Sequence, residues 1–129
     1  MKILTVEDDL IQAMLLERYI ENAGHECIGN AVNALDAIQM INSQIPDLIL
    51  SDIKIEGSKD GIMMMEEIRS YSAIPVVFIT GNSNPVYIER AGKIILSRFL
   101  VKPILYNTFL RTIQSLENET SSPDSSGQR

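Results

Sequence analysis

Tryptophan is absent from this chain of 129 residues, cysteine occurs once, and aromatic side chains make up only 5% of it. With Cys27 alone, no internal disulfide can form, and in its apolar strand context it reads as a small core residue rather than a nucleophile. No apolar run approaches the ~18 residues that a membrane span needs. Basic residues are scarce, 11 against 17 acidic ones for a net charge of −6, which argues against nucleic acid or an anionic membrane surface as the main partner. The first residues, Met1-Lys2-Ile3-Leu4, run directly into β-prone sequence with no signal-peptide pattern. The expectation is a soluble, cytoplasmic protein. What is present, 45% hydrophobic and 22% charged residues in a length suited to one domain, is ordinary globular usage.

Two patterns alternate along the chain. Short β-prone runs occupy residues 2–6, 26–29, 48–51, 75–80 and 98–101. Helical spacing appears between and after them. Leu10, Ile11, Met14, Leu15, Tyr19 and Ala23 predict a first helix capped by Asp9 and stopped by Gly24. Leu35, Ile38 and Ile41 predict the inward face of a second over residues 33–43, and Asp60 caps a third with Ile62, Met64, Met65 and Ile68 inward, the methionines as core filling. A fourth runs from Pro85 to Gly92, and Leu105, Phe109, Leu110, Ile113 and Leu116 stripe the fifth. From Glu117 the apolar pattern stops, so residues 1–118 are expected to fold and residues 119–129 to form a disordered polar tail. Five strands alternating with five helices predict a doubly wound α/β domain with a parallel sheet.

In such a sheet every strand's carboxyl end opens on one rim. The residues delivered there are Glu7 and Asp8 from the first strand, Asp52 from the third, Thr80 from the fourth and Lys102 from the fifth. Taken singly, each has an ordinary structural reading: acids at a helix start, a turn aspartate, a strand-end threonine, a loop lysine. Together they fit one chemistry. Crowded carboxylates repel unless protonated or joined by a cation, and hard oxygen donors at an open rim suit Mg²⁺. A lysine and a hydroxyl are donors for phosphoryl oxygens. Asp52 would be the nucleophile of a phosphoryl transfer, giving an acyl phosphate.

Over residues 1–118 the chain resembles a response-regulator receiver domain of two-component signalling, of the chemotaxis-regulator type. The resemblance rests on Val6-Glu7-Asp8-Asp9, Pro46-Asp47-Leu48-Ile49-Leu50-Ser51-Asp52, Asp60-Gly61, Pro75-Val76-Val77-Phe78-Ile79-Thr80-Gly81 and Phe99-Leu100-Val101-Lys102-Pro103. It implies a flavodoxin-like receiver fold with strand order 2-1-3-4-5. Asp52 corresponds to the phospho-acceptor, Asp8 to the direct metal-binding acid, Glu7 to its neighbour acting through water, and the backbone carbonyl of Lys54 to the remaining protein ligand of Mg²⁺. Thr80 corresponds to the switch hydroxyl, Lys102 to the phosphate-binding lysine, and Phe99 to the aromatic that turns inward when the hydroxyl is drawn to the phosphate. The partners implied are a histidine kinase or phosphotransfer protein and a downstream protein target, with a homodimer through the fourth helix, fifth strand and fifth helix as a further expectation. Such a domain is a signalling switch that catalyses only its own phosphorylation and dephosphorylation.

Some positions depart from the commonest pattern. Gly81 follows the switch hydroxyl in place of a more frequent alanine. Residues 91–97 are unusually apolar, readable as core packing or as a contact surface. The polar loop over residues 55–61 resembles a receiver subgroup tied to sensory kinases. Lys54 and Asn82 hold the two positions that tune phosphate lifetime, and Lys54 is expected to offset negative charge and weaken Mg²⁺ binding. The competing function is a pseudo-receiver, an interaction module that phosphorylation does not regulate. A flavin domain is disfavoured by the acidic loop after the first strand, and an aspartate phosphohydrolase by Lys54 where a second acid belongs. Whether the receiver acts alone or as part of a longer protein stays open.

Overall fold

A computed structural model of the chain describes residues 1–81 and 84–120. Among them, β1 (Lys2–Val6), β2 (Glu26–Ala31), β3 (Leu48–Asp52), β4 (Val76–Thr80) and β5 (Ser97–Val101) form one parallel sheet in the order β2-β1-β3-β4-β5. They alternate with α1 (Leu10–Asn22), α2 (Ala34–Gln44), α3 (Gly61–Arg69), α4 (Pro85–Gly92) and α5 (Tyr106–Thr120). The topology is the doubly wound one expected. No helix among the described residues is long and apolar enough to cross a membrane.

The sheet separates two cores. Strand residues alternate between them because successive side chains point to opposite faces. Leu4, Val6, Ile49, Val76 and Phe78 pack with α2, α3 and α4. Ile3, Leu48, Leu50, Val77, Ile79 and Leu100 pack with α1 and α5. β3 and β4 lie in the middle of the sheet, and every residue in them is buried, which is why they read as unbroken apolar runs. Each large side chain buried this way stabilises the fold by roughly 1.5–3 kcal/mol.

Helix positions follow the expectation, but two faces do not. In α1 the buried residues are Ala13, Leu16 and Ile20, with Tyr19 and Ala23 partly covered, while Leu10, Ile11, Met14 and Leu15 are exposed. The linker from β1 is only three residues long and Asp9 caps the helix through the amides of Ile11 and Gln12, so the helix phase is set at its start. In α2, Ala34 and Ala37 line the sheet beside Ile41, whereas Leu35 is exposed. Small residues let that helix approach closely. Met64 and Met65 fill the core as expected, and Leu105 lies outside α5, exposed.

The apolar stretch from the last turn of α4 onward divides: Ala91 and Ile94 are buried, and Ile95 is exposed. α5 runs to Thr120, two residues beyond the expected end of the fold, and Arg98 of β5 reaches Glu119 in that last turn at 2.7 Å. The tail from residue 121 and the tuning position Asn82 lie outside the described residues.

Candidate functional site

Strand alternation decides which face of the sheet each rim group joins. Asp52 follows Leu48 and Leu50, and Glu7 and Lys102 continue the parity of Ile3 and Leu100, so all three belong to the α1/α5 side. Thr80 continues the parity of Phe78, and Phe99 packs against the α2–α4 core. The charged groups and the expected switch pair therefore meet at the rim from opposite faces.

The charged groups are in contact. Lys102 Nζ lies 2.8 Å from Asp52 Oδ2 and 3.2 Å from Glu7 Oε1. Glu7 is 1% exposed and Asp52 7%. The other Glu7 oxygen accepts from the Asp9 amide at 3.1 Å, and Asp52 Oδ1 accepts from the Lys54 amide at 3.3 Å. Burial raises the Glu7 carboxyl above its ordinary range, with the Asp52 charge adding to the effect and the Asp9 amide and Lys102 only partly offsetting it. Burial works against the Lys102 ammonium, but the hydrogen bond and charge of Asp52, joined by Glu7, outweigh it and hold the lysine above its ordinary value. Two buried acids with one lysine leave a net negative cup.

A carboxylate oxygen from each of Glu7, Asp8 and Asp52 falls within 4.8 Å of the others, and Asp8 is the most open to solvent. This hard-oxygen donor set at an open rim fits Mg²⁺. The Lys54 amide is bonded to the Asp52 carboxylate. The Lys54 ammonium sits 5.7 Å from the centre of the Tyr87 ring on α4, directed to that ring. Thr80 is buried, and its carbonyl accepts from the Lys102 amide at 2.8 Å, which ties the ends of β4 and β5 together. Cys27 is half-buried, and burial pushes its thiol up, away from nucleophile chemistry.

Three supporting residues become visible only in three dimensions. A Cβ on Gly61 would lie 2.3 Å from the Asp52 carbonyl oxygen and 2.8 Å from Ser51 Oγ, so only glycine lets α3 start directly against the end of β3. Asn30 donates from Nδ2 to the Glu7 carbonyl at 3.0 Å, and Thr5 donates from Oγ1 to Asn30 Oδ1 at 2.7 Å. The available signal was polarity in the wrong place: a threonine inside an apolar strand and an asparagine near the end of its neighbour. On the α4 side, Arg90 forks onto Asp60, the cap of α3, at 3.0 Å and 3.2 Å.

Comparison with known proteins agrees with this geometry. The chain is 29% identical over 113 residues to the transcriptional regulatory protein PdtaR of Mycobacterium tuberculosis, covering 88% of this chain and 55% of that protein. It is 35% identical over 80 residues to the phyllosphere-induced regulator PhyR of Methylorubrum extorquens, covering 61% of this chain and 30% of that one. It thus spans about half of the first relative and less than a third of the second. Among solved structures, the signal receiver domain of a modulated diguanylate cyclase from Desulfovibrio desulfuricans superposes with a TM-score of 0.82 at 26% identity, covering 92% of this chain and 94% of that one. The receiver domain of PhyR from Erythrobacter litoralis gives 0.78 at 27%, covering 90% and 88%. A family model described as the response regulator receiver domain matches residues 3–114, and the chain belongs to that family.

Proposed function

We propose that this receiver is a phospho-accepting switch in which Asp52 takes a phosphoryl group from a phosphohistidine on a histidine kinase or phosphotransfer protein. The observation that carries the reading is the Lys102 ammonium 2.8 Å from Asp52 Oδ2, beside a donor set suited to a divalent cation. An Asp52 oxygen attacks phosphorus, the P–N bond breaks, and its electron pair stays on the imidazole nitrogen. The product is an acyl phosphate. Glu7, Asp8, Asp52 and the Lys54 carbonyl would hold Mg²⁺, which when bound supplies positive charge against the phosphoryl oxygens.

Lys102 moves its hydrogen bond from the carboxylate to a phosphoryl oxygen, and Thr80 donates its hydroxyl to another. These charge-assisted bonds exist only in the phosphorylated state, so they bias an equilibrium between two conformations. Phe99 follows Thr80 and carries the change to α4, β5 and α5. Val86, Ile88, Ile95, Val101 and Leu105 expose apolar surface there that a downstream protein or a second copy would cover. In this reading the protein works in the cytoplasm through protein contacts.

The test is intact mass after incubation with a small-molecule phosphodonor, with and without Mg²⁺, on wild type and Asp52→Asn. One added phosphoryl group that needs both Mg²⁺ and Asp52 is the expected result. No adduct under any condition would replace this reading with a pseudo-receiver that binds partners constitutively.

A further inference from the structure

The ladder between β1 and β2 ends at Val6 and Ala31. One residue on, the Glu7 amide still donates to the Ala31 carbonyl at 2.9 Å, but the Glu7 carbonyl is met by a side chain, Asn30 Nδ2 at 3.0 Å. Asn30 is fixed in turn at its other end, where the buried Thr5 hydroxyl donates to Oδ1 at 2.7 Å. The amide plane is thus set twice, by a donor on its oxygen and an acceptor for its nitrogen. The peptide it holds is the one between Glu7 and Asp8.

That peptide matters because the two acids depend on it differently. The Glu7 carboxylate has its own anchors in Lys102 and the Asp9 amide. The Asp8 carboxylate is the most open of the three in the cluster, and its backbone follows directly from the peptide that Asn30 holds. We propose that Asn30, locked by Thr5, is a positioning residue that fixes the Glu7–Asp8 peptide and so pre-sets the acidic pair for a divalent cation. A ligand ordered before the cation arrives loses less freedom on binding, so the pair raises affinity without touching the metal. This inference rests on the Mg²⁺ reading of the Glu7, Asp8 and Asp52 cluster.

The experiment is calorimetric titration of Mg²⁺ into the unphosphorylated chain for wild type, Asn30→Ala, Thr5→Val, Thr5→Ser and the double variant Thr5→Val/Asn30→Ala, with thermal melts to confirm folding. Asn30→Ala is expected to weaken Mg²⁺ about tenfold, the scale of losing a group that orients a metal ligand. Thr5→Val, equal in shape, should weaken it by a smaller factor, and Thr5→Ser should restore it. The double variant should be no weaker than Asn30→Ala, because Thr5 acts through Asn30. With a small-molecule phosphodonor, the half-saturating Mg²⁺ concentration should shift while the rate at saturating Mg²⁺ holds.

Unchanged affinity in folded Asn30→Ala, or losses that multiply in the double variant, overturns the inference alone. If Asn30→Ala does not fold, unchanged affinity in Thr5→Val overturns it. A wild type that binds no Mg²⁺ overturns it together with the metal reading.

Discussion

On its α1/α5 face the rim is held by charge: two buried carboxylates share one ammonium, and the hydrogen bonds of Asp9, Lys54 and Asn30 fix the groups around them. On its α2–α4 face the rim carries the hydroxyl of Thr80 and the half-buried ring of Phe99, and α4 is tied to the loop after Asp52 by the Lys54–Tyr87 and Arg90–Asp60 contacts. Both Arg90 and Asp60 keep about a quarter to a third of their side chains in water, so that second set is weak. The rim is thus strong where its charges meet and weak where α4 touches it. In the proposed switch, the chemistry calls for groups that do not wander and the response for a helix that small energies can move.

Removing the cation on the strong side should have the largest effect. Lys102→Met leaves two buried acids unpaired and should cost about 3 kcal/mol in urea denaturation without divalent cations, with part of the loss recovered on adding Mg²⁺. A loss no larger than that of a surface ion pair would show that this cluster gives the rim no special strength.

Glu7 has a folded value raised above its ordinary 4.5, so its protonated form favours the fold. Stability without Mg²⁺ should therefore fall as pH rises from about 4.5 through the raised value, and Glu7→Gln should flatten that segment of the thermal-melting profile. Lys102 adds a contribution of its own, present below its ordinary 10.5 and lost as pH climbs through its raised folded value.

The smallest effect belongs to the weak side. Tyr87→Leu removes the ring under Lys54 and should cost only about 0.5–1 kcal/mol in the same denaturation assay. A loss equal to that of Lys102→Met would show that both faces are equally rigid.

The fold was legible because β3 and β4 are buried on both faces and so leave unbroken apolar runs, and because Asp9 and Asp60 cap helices where their residue types suggest. The charged site was legible for a related reason: each group stands at a strand end, and parallel topology gathers those ends. The buried face of α1 was not. Leu10, Ile11 and Met14 form as good a stripe as Ala13, Leu16 and Ile20, and only the short link from β1 chooses between them. The roles of Gly61, Asn30 and Thr5 escaped because they are steric or bridge two strands, which no single segment displays. The last turn of α5 escaped because Glu119 is polar, its support coming from Arg98 on a distant strand.

The Gly61 amide donates to the Ile53 carbonyl at 2.7 Å, so the chain leaves Asp52, makes an excursion and returns to where it began. Within it, Ile55 is buried and Glu56 bridges to Asn33, so the first half of the excursion is anchored too. At its tip, Gly57 and Ser58 are both exposed. Lengthening such a closed excursion costs only about 0.6 kcal/mol for each doubling. A peptide grafted between Gly57 and Ser58 would therefore leave the fold on the α2 side of the rim, where Asn33, Ala34 and Leu35 share a cavity with that tip, giving an engineer a port that keeps the Gly61–Ile53 bond intact.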